Sequence, residues 1–264
     1  MHHFTRALRG LRASPAVSAV AILTMAVAIA ANTAIFSVYD QLVLHPVSMP
    51  DPDSLIAIWF TNPQRNAQSP SISIPRYDEL RADTRAFSSI GLSAFDSFTL
   101  TGNGDPLQLN GLRVSASFFP TLGVMPAQGR NFTQAEDVPN GPPVCIVSAE
   151  LWQTQFGGRD LIGKTIELGG MAWEVVGIMP ARMTAPFRQV QIYAPRVFEV
   201  SGLTKVQIDA GATFAQPIAR LKTGTTLDQA RGELAAFSKG YQERHPMQID
   251  AGTSPSRGPS SARW

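Results

Sequence analysis

One cysteine and four histidines are all that this chain of 264 residues offers toward disulfide or zinc chemistry. A single thiol closes no intramolecular disulfide, and His2, His3, His45 and His245 leave no interior pair at zinc-ligand spacing. A disulfide scaffold and a zinc enzyme therefore both drop out. Charge is scarce too: 16% of residues are Asp, Glu, Lys or Arg while 44% are hydrophobic, against about 25% charged in soluble globular proteins. Neither sign dominates, since Lys+Arg 22 and Asp+Glu 20 leave a net charge of +2, so the basic footprint of a nucleic-acid binder is missing. The hydrolase signatures G-x-S-x-G and H-E-x-x-H do not occur. The length corresponds to one large domain or two small ones, with more apolar residues than a wholly water-facing fold needs.

That surplus is concentrated at the N-terminus. No charged residue occurs from Ala13 to Tyr39, a run of about 27 that makes a helix about 40 Å long, enough to cross the ~30 Å hydrocarbon core of a bilayer. One Arg or Asp in mid-helix would cost about 2.5–3.5 kcal/mol on insertion, so their absence across the window is informative. Arg6, Arg9 and Arg12 precede the run with no acid among them, and Asp40, Asp51 and Asp53 follow it. The positive-inside rule then predicts residues 1–12 as a cytoplasmic basic stretch and 13–39 as a single transmembrane helix, with everything later outside. A cleaved signal peptide competes with this, because Ala28-Ile29-Ala30 suits a cleavage site. Against it, apolar character continues through Ala31, Ala34, Ile35, Phe36 and Val38, beyond the ~7–15 residues of a signal core. Ala26, Ala30 and Ala34 put small side chains on one helical face, where a helix of another polypeptide could approach closely; an alanine-rich helix without a partner has the same spacing.

Beyond the helix the pattern is α+β. Leu55 to Phe60 reads as a strand after the turn Pro50-Asp51-Pro52-Asp53. Ser73 and Pro75 open a helix with Tyr77 and Leu80 inward and Arg76, Asp78, Glu79 and Arg81 outward. Thr213 to Leu221 contains a second strand, and Thr226 with Gln229 forms a capping box before a helix whose Leu227, Ala230, Leu234, Phe237 and Tyr241 make an apolar stripe. Between these two strand-helix units, residues from about 87 to 212 read as a β-rich insertion. Ser89 to Thr101 and Leu107 to Val114 alternate around Gly102-Asn103-Gly104-Asp105, and Ile166 to Leu168 and Met171 to Ile178 flank Gly169-Gly170, giving two hairpins. Pro143 to Ser148 reads as a buried strand and Ala149 to Phe156 as a short helix. Residues 251–264, nearly all Ser, Pro, Gly, Arg and Ala, are expected to be disordered.

Gly158-Arg159-Asp160-Leu161-Ile162-Gly163-Lys164-Thr165 satisfies G-x-x-x-x-G-K-[ST], the string of a phosphate-cradling loop. Such a loop must leave a strand and enter a helix so that backbone N–H groups converge on phosphate. Here a helix precedes it and a strand follows, which predicts an ordinary connection. Cys145 lies in the apolar stretch Pro143 to Val147 and reads as a core side chain. Asp78-Glu79 and Glu136-Asp137 read as solvated surface pairs, and Asn131-Phe132-Thr133 is a glycosylation sequon by pattern alone. Met49, Met125, Met171, Met179 and Met183 share no helical spacing and read as packing residues. No residue is expected to be catalytic, to bind a cofactor or to hold a metal.

Several segments together resemble the MacB/FtsX-type ABC transporter permeases, in particular their MacB-like periplasmic core domain. Ala28-Ile29-Ala30-Ala31-Asn32-Thr33-Ala34-Ile35-Phe36-Ser37 is similar to the end of the family's first transmembrane helix, with alanines where glycines are more usual, and Pro50-Asp51-Pro52-Asp53-Ser54-Leu55 to the turn that follows. Val114 to Val124 with Pro126 and Gly129-Arg130, Leu151-Trp152 with Phe156-Gly157-Gly158, Ile162-Gly163-Lys164, Val176-Gly177-Ile178-Met179-Pro180 and Ala219-Arg220-Leu221-Lys222 with Gly224 match in order.

The resemblance implies a core domain over residues 40–250 and a permease subunit in the bacterial cytoplasmic (inner) membrane. Its outer domain would pass on motion driven by a separate cytoplasmic ABC ATPase subunit, with other permease chains and membrane lipid as further partners, no nucleic acid and no cofactor. After His245-Pro246 the family completes the domain and adds transmembrane helices, so the tail here reads as a truncated gene or a shifted frame. A secreted or membrane-anchored binding module without an ATPase partner is the alternative.

Overall fold

The computed structural model describes residues 23–26, 29, 50–62, 67–102, 104–181 and 187–256. The chain divides into two units, Met1–Ser48 and Met49–Trp264. In the first, residues 23–26 and 29 are helical, with Leu23, Met25 and Ile29 exposed. Among the described residues no helix is long and apolar enough to cross a membrane. Ala26 lies on that helix, whereas Ala30, Ala34, residues 1–12 and most of the predicted span 13–39 lie outside the described residues.

The second unit opens with a short 3-10 turn over Pro52–Ser54. Two strands follow where the sequence predicts one, β1 (Leu55–Ala57) and β2 (Trp59–Asn62). Buried Ile58 separates them and each half joins a different sheet. β2 lies between β3 (Ala67–Ser69) and β12 (Ser254–Ser256) in a three-stranded sheet. β1 forms one end of a nine-stranded sheet and pairs antiparallel with β11 (Gln216–Leu221).

The spine of that sheet is β4 (Phe87–Thr101). Its first part, to Ser93, pairs with β11, and from Ser93 to Leu100 it pairs with β5 (Leu107–Val114). The ladder continues from β5 to β10 (Ile192–Ala194), β7 (Val144–Val147) and β9 (Met171–Ile178). β9 pairs with β8 (Thr165–Leu168), and β8 pairs back onto β4 through Leu100↔Leu168 and Thr101↔Glu167. The ladder therefore closes into a barrel, the arrangement that leaves a sheet without free edges. β6 (Gln128–Gly129) attaches to the end of β9.

Each part of β4 serves its own core. The first gathers Tyr77 and Leu80 of α1 (Ile74–Asp83), Phe87, Ile90 and Leu92 of β4, Ala219 of β11, and Ala230, Leu234, Phe237 and Tyr241 of α5 (Leu227–Arg244). The second fills the barrel with Phe98, Leu100, Leu109, Cys145, Val147, Trp173, Val175 and Ile192, joined by Leu151 of α3 (Ala149–Phe156). The second core is β-rich, and its boundary with the first falls inside a strand rather than in a linker. Period-two alternation and both glycine turns put the hairpins where the sequence predicts them, with Gly169 and Gly170 at φ 59° and 80°.

Ser73 caps α1, its hydroxyl accepting from the Arg76 amide at 3.3 Å. The capping box of Thr226 and Gln229 starts α5 as predicted. The stripe below it is buried from Ala230 onward, whereas Leu227, in the first turn, stays 40% exposed. Gly232 sits in the exposed interior of α5 with open space where a Cβ would be. Gly232→Ala should therefore raise stability by about 0.5–1 kcal/mol, read by urea unfolding.

Two short helices arise where no periodicity is long enough to show. They are α2 (Phe118–Leu122), closed by left-handed Gly123, and α4 (Lys205–Asp209), begun by a capping box of Thr204 and Gln207.

Two expectations are corrected. Arg76 is fully buried rather than outward. It lies on the same 3-4 stripe as Ser73, Tyr77 and Leu80, so helical geometry aims it inward whatever its charge. Residues 251–256, within the stretch expected to be disordered, are folded: Ser254, Pro255 and Ser256 pair with Thr61, Phe60 and Trp59.

Candidate functional site

The phosphate-loop string is an ordinary connection. Residues 158–165 leave α3 and enter β8, and the loop's amides are used internally: Gly158, Arg159, Gly163 and Lys164 donate to Trp152, Phe156, Val175 and Leu161 carbonyls. Cys145 is fully buried in the barrel, and burial pushes its thiol far above the usual range. Among the described residues no group of His, Cys, Asp and Glu could hold a metal ion. A cleft of about 510 Å³ between α3 and the end of β9 is lined by Ala127, Gln128, Glu150, Trp152, Met179 and Pro180. Among the described residues Glu150 is its single titratable side chain, and they form no constellation for acid–base or nucleophilic work.

Glu136 and Asp137 are corrected from solvated surface to structural carboxylates. Glu136 is 5% exposed and takes the Arg130 guanidinium at 2.7 and 3.0 Å and the Thr133 amide at 2.7 Å. Burial alone pushes its carboxyl up, but Arg130 and Thr133 outweigh that and hold it below the ordinary range. With a folded value below the unfolded one, its contribution is present above the unfolded value and is lost as pH falls through the folded value. Glu136→Gln should therefore flatten the loss of stability below about pH 4, measured by urea unfolding at a series of pH values.

Asp137 accepts the Ala116 and Arg196 amides at 2.8 and 2.9 Å, and burial, the larger effect, still pushes it up. Beside it Arg113 of β5 pairs with Asp96 of β4 at 2.6 Å and reaches the Pro195 carbonyl at 3.2 Å. Arg113 lies over the Phe98 ring, and Arg196, 2.9 Å from Glu199, lies over Trp173. These pairs fix β4, β5 and the segment after β10 against the barrel wall.

Two arginines hold the first and the last described segments of the second unit. At the lead-in, Arg220 of β11 donates from Nη1 to the Pro50 carbonyl (2.9 Å), the Asp51 carbonyl (3.1 Å) and Ser54 Oγ (2.7 Å). Its Nε donates to the Thr121 carbonyl of α2 at 2.9 Å. At the other end, Arg76 donates to the Asp250 carbonyl (3.0 Å), Ser238 Oγ (2.8 Å), the Thr253 carbonyl (3.0 Å) and the Thr253 hydroxyl. Its guanidinium stacks over Phe60 at 4.6 Å and Tyr241 at 5.1 Å. Burial lowers its pKa against the pull of Asp250. Asp250 itself accepts from Ser73 Oγ at 2.6 Å and from the Tyr241 hydroxyl at 3.4 Å. Burial, and then the same carboxylate, push that phenol up to about 12, so it stays a donor.

β12 runs from Ser254, opposite Thr61, to Ser256, opposite Trp59. Among the described residues no reactive groups are assembled, and Arg220 and Arg76 secure the lead-in and residues 250–253.

Comparison with known families agrees with that architecture. The model of the MacB-like periplasmic core domain matches residues 18–237. The chain belongs to this family. The core-domain match begins inside the apolar N-terminal run and covers β1 through most of α5. Among solved structures, the chain is similar to the extracellular domain of the noncanonical ABC-type transporter YknZ from Gram-positive bacteria, with a TM-score of 0.55 and 15% identity over 77% of this chain and 100% of that one. It is also similar to the periplasmic region of MacB from Actinobacillus actinomycetemcomitans, with a TM-score of 0.54 and 14% identity over 77% and 88%. A domain of a putative permease from Porphyromonas gingivalis gives a TM-score of 0.53 and 12% identity over 80% and 94%. At these identities the likeness is one of fold. No curated protein matches the chain in sequence.

The MacB-like assignment agrees with the resemblance carried by the ordered motifs. Their structural meaning is now visible: Phe118 to Gly123 is α2 with its glycine cap, and Arg220 is the lead-in clamp. The sequence alone marks Arg220 only by its place in a matching string. A cation among apolar strand residues is the signal that would have found it.

Proposed function

We propose that this chain is the extracytoplasmic part of an ABC-type permease subunit, anchored in the cytoplasmic membrane by residues 13–39 with residues 1–12 inside. In this function a separate cytoplasmic ABC ATPase supplies motion, Ala26, Ala30 and Ala34 pack the anchor against another permease chain, and the outer unit carries the motion to a substrate or partner. The chain performs no bond chemistry of its own. The family match over residues 18–237 carries this function, because one match spans the end of the apolar run and the folded unit. The secured lead-in supports it, since a rigid grip at Pro50 and Asp51 is what a unit moved by its anchor requires.

Affinity purification of the full chain from its native membrane should bring down an ABC ATPase subunit. Leucines at Ala26, Ala30 and Ala34 should abolish that co-purification by removing the close helix approach. A wild-type extract without any ATPase subunit would overturn the proposal in favour of an anchored binding module. A reporter fused after Ser256 that works only in the cytoplasm would reverse the orientation.

A further inference from the structure

Arg220 does more than hold the lead-in, because its Nε is bonded to the last turn of α2. α2 is fully buried at Phe118, Phe119, Thr121 and Leu122, although it is only five residues long. Its Phe119 ring meets Tyr193 of β10 edge-on at 5.2 Å and Phe132 at 6.4 Å, while Phe118 meets Phe187 at 5.4 Å. β10 alternates across the barrel wall: Ile192 and Ala194 belong to the barrel core, and Tyr193 faces outward onto α2. On the opposite side, Phe118 Cα lies so close to β4 that a Cβ on Gly91 would come within 2.7 Å of it. Close-packed aromatic edges and backbone contact leave no slack for α2 to shift without moving its neighbours.

We infer that Arg220 and α2 form a rigid relay connecting the lead-in at Pro50, Asp51 and Ser54 to the barrel wall at Tyr193. A displacement of the lead-in is then delivered to the barrel and is not absorbed in the loop. Arg220 and Phe119 are positioning residues in this relay. The inference rests on the lead-in being where motion arrives, but its test reads the chain alone, without an ATPase, so the two can fail separately.

Hydrogen exchange read by mass spectrometry on the full chain, in a membrane mimetic, tests the relay. Arg220→Ala should raise exchange about tenfold at residues 50–55 and also at 118–124 and 192–194, with residues 230–241 of α5 unchanged. Phe119→Leu, a milder core change, should produce the reciprocal rise at 50–55, as linkage between two sites requires. The double variant should depart from the product of the single effects by more than about twofold. An increase confined to residues 50–55 and 118–124, an equal increase throughout the unit, or multiplicative effects in the double variant would each overturn the relay. Should Arg220→Ala fail to fold, the exchange of Phe119→Leu at 50–55 decides alone.

Discussion

Arg76→Ala should release residues 248–256 from the unit and lower its stability by about 3–5 kcal/mol, the range seen when one member of a buried charged network is removed. The side chain is fully buried, and truncation strands everything it binds: Ser238, the Asp250 and Thr253 carbonyls and the Thr253 hydroxyl. The Asp250 carboxylate, 1% exposed, would lose its nearby positive charge. For a unit of this size the corresponding fall in melting temperature is roughly 10 °C. Arg76→Met keeps the apolar stem and removes the donors, so most of the loss should persist. Arg76→Lys should recover little, since one ammonium cannot reproduce a planar fork aimed at several acceptors. Limited proteolysis should then cut near Thr253 before the rest of the unit unfolds. A melting temperature within about 2 °C of wild type for Arg76→Ala would show that the latch is not structural.

Gly91→Ala should be strongly damaging, because the added methyl meets backbone. The new Cβ would lie 2.7 Å from Phe118 Cα and 3.4 Å from Thr121 Cβ. Backbone cannot rotate away as a side chain can, so α2 must lift off β4 and the Phe119–Tyr193 contact must open. A cost of about 3 kcal/mol, the upper part of the overpacking range, is expected in chemical denaturation. At Gly111 an added Cβ runs into the Phe98 ring instead. That ring can turn, although Trp173 edge-on at 5.9 Å restrains it, so Gly111→Ala should cost less. Equal stability of Gly91→Ala and wild type would contradict the close approach of α2 to the sheet.

What was legible in the sequence was local. The capping box of Thr226 and Gln229, the glycines at hairpin turns and the alternation of β4, β5, β8 and β9 each act within a few residues, and their elements form where predicted. The barrel closure was not legible, because Leu100 meets Leu168 across many intervening residues and neither strand end carries a mark of its partner. β10 is three residues long, too short for any period to show. Arg76 and Glu136 are buried for a shared reason: helical position in one case and a nearby cation, Arg130, in the other override the outward preference of a charged side chain. Of the candidate site, the motifs located the segments, while the contacts of Arg220 and Arg76 depend on chain pieces far apart in sequence.

Because β4 belongs to both cores, neither can melt while the other keeps its native ladder intact. Heating should therefore dismantle the unit in one cooperative transition, despite two separate apolar interiors. The same continuity governs recombination between relatives. A barrel exchanged at flanking loops would leave a foreign strand running into the host's own helices, so a workable crossover lies within β4 near Ser93, where its ladder passes from β11 to β5.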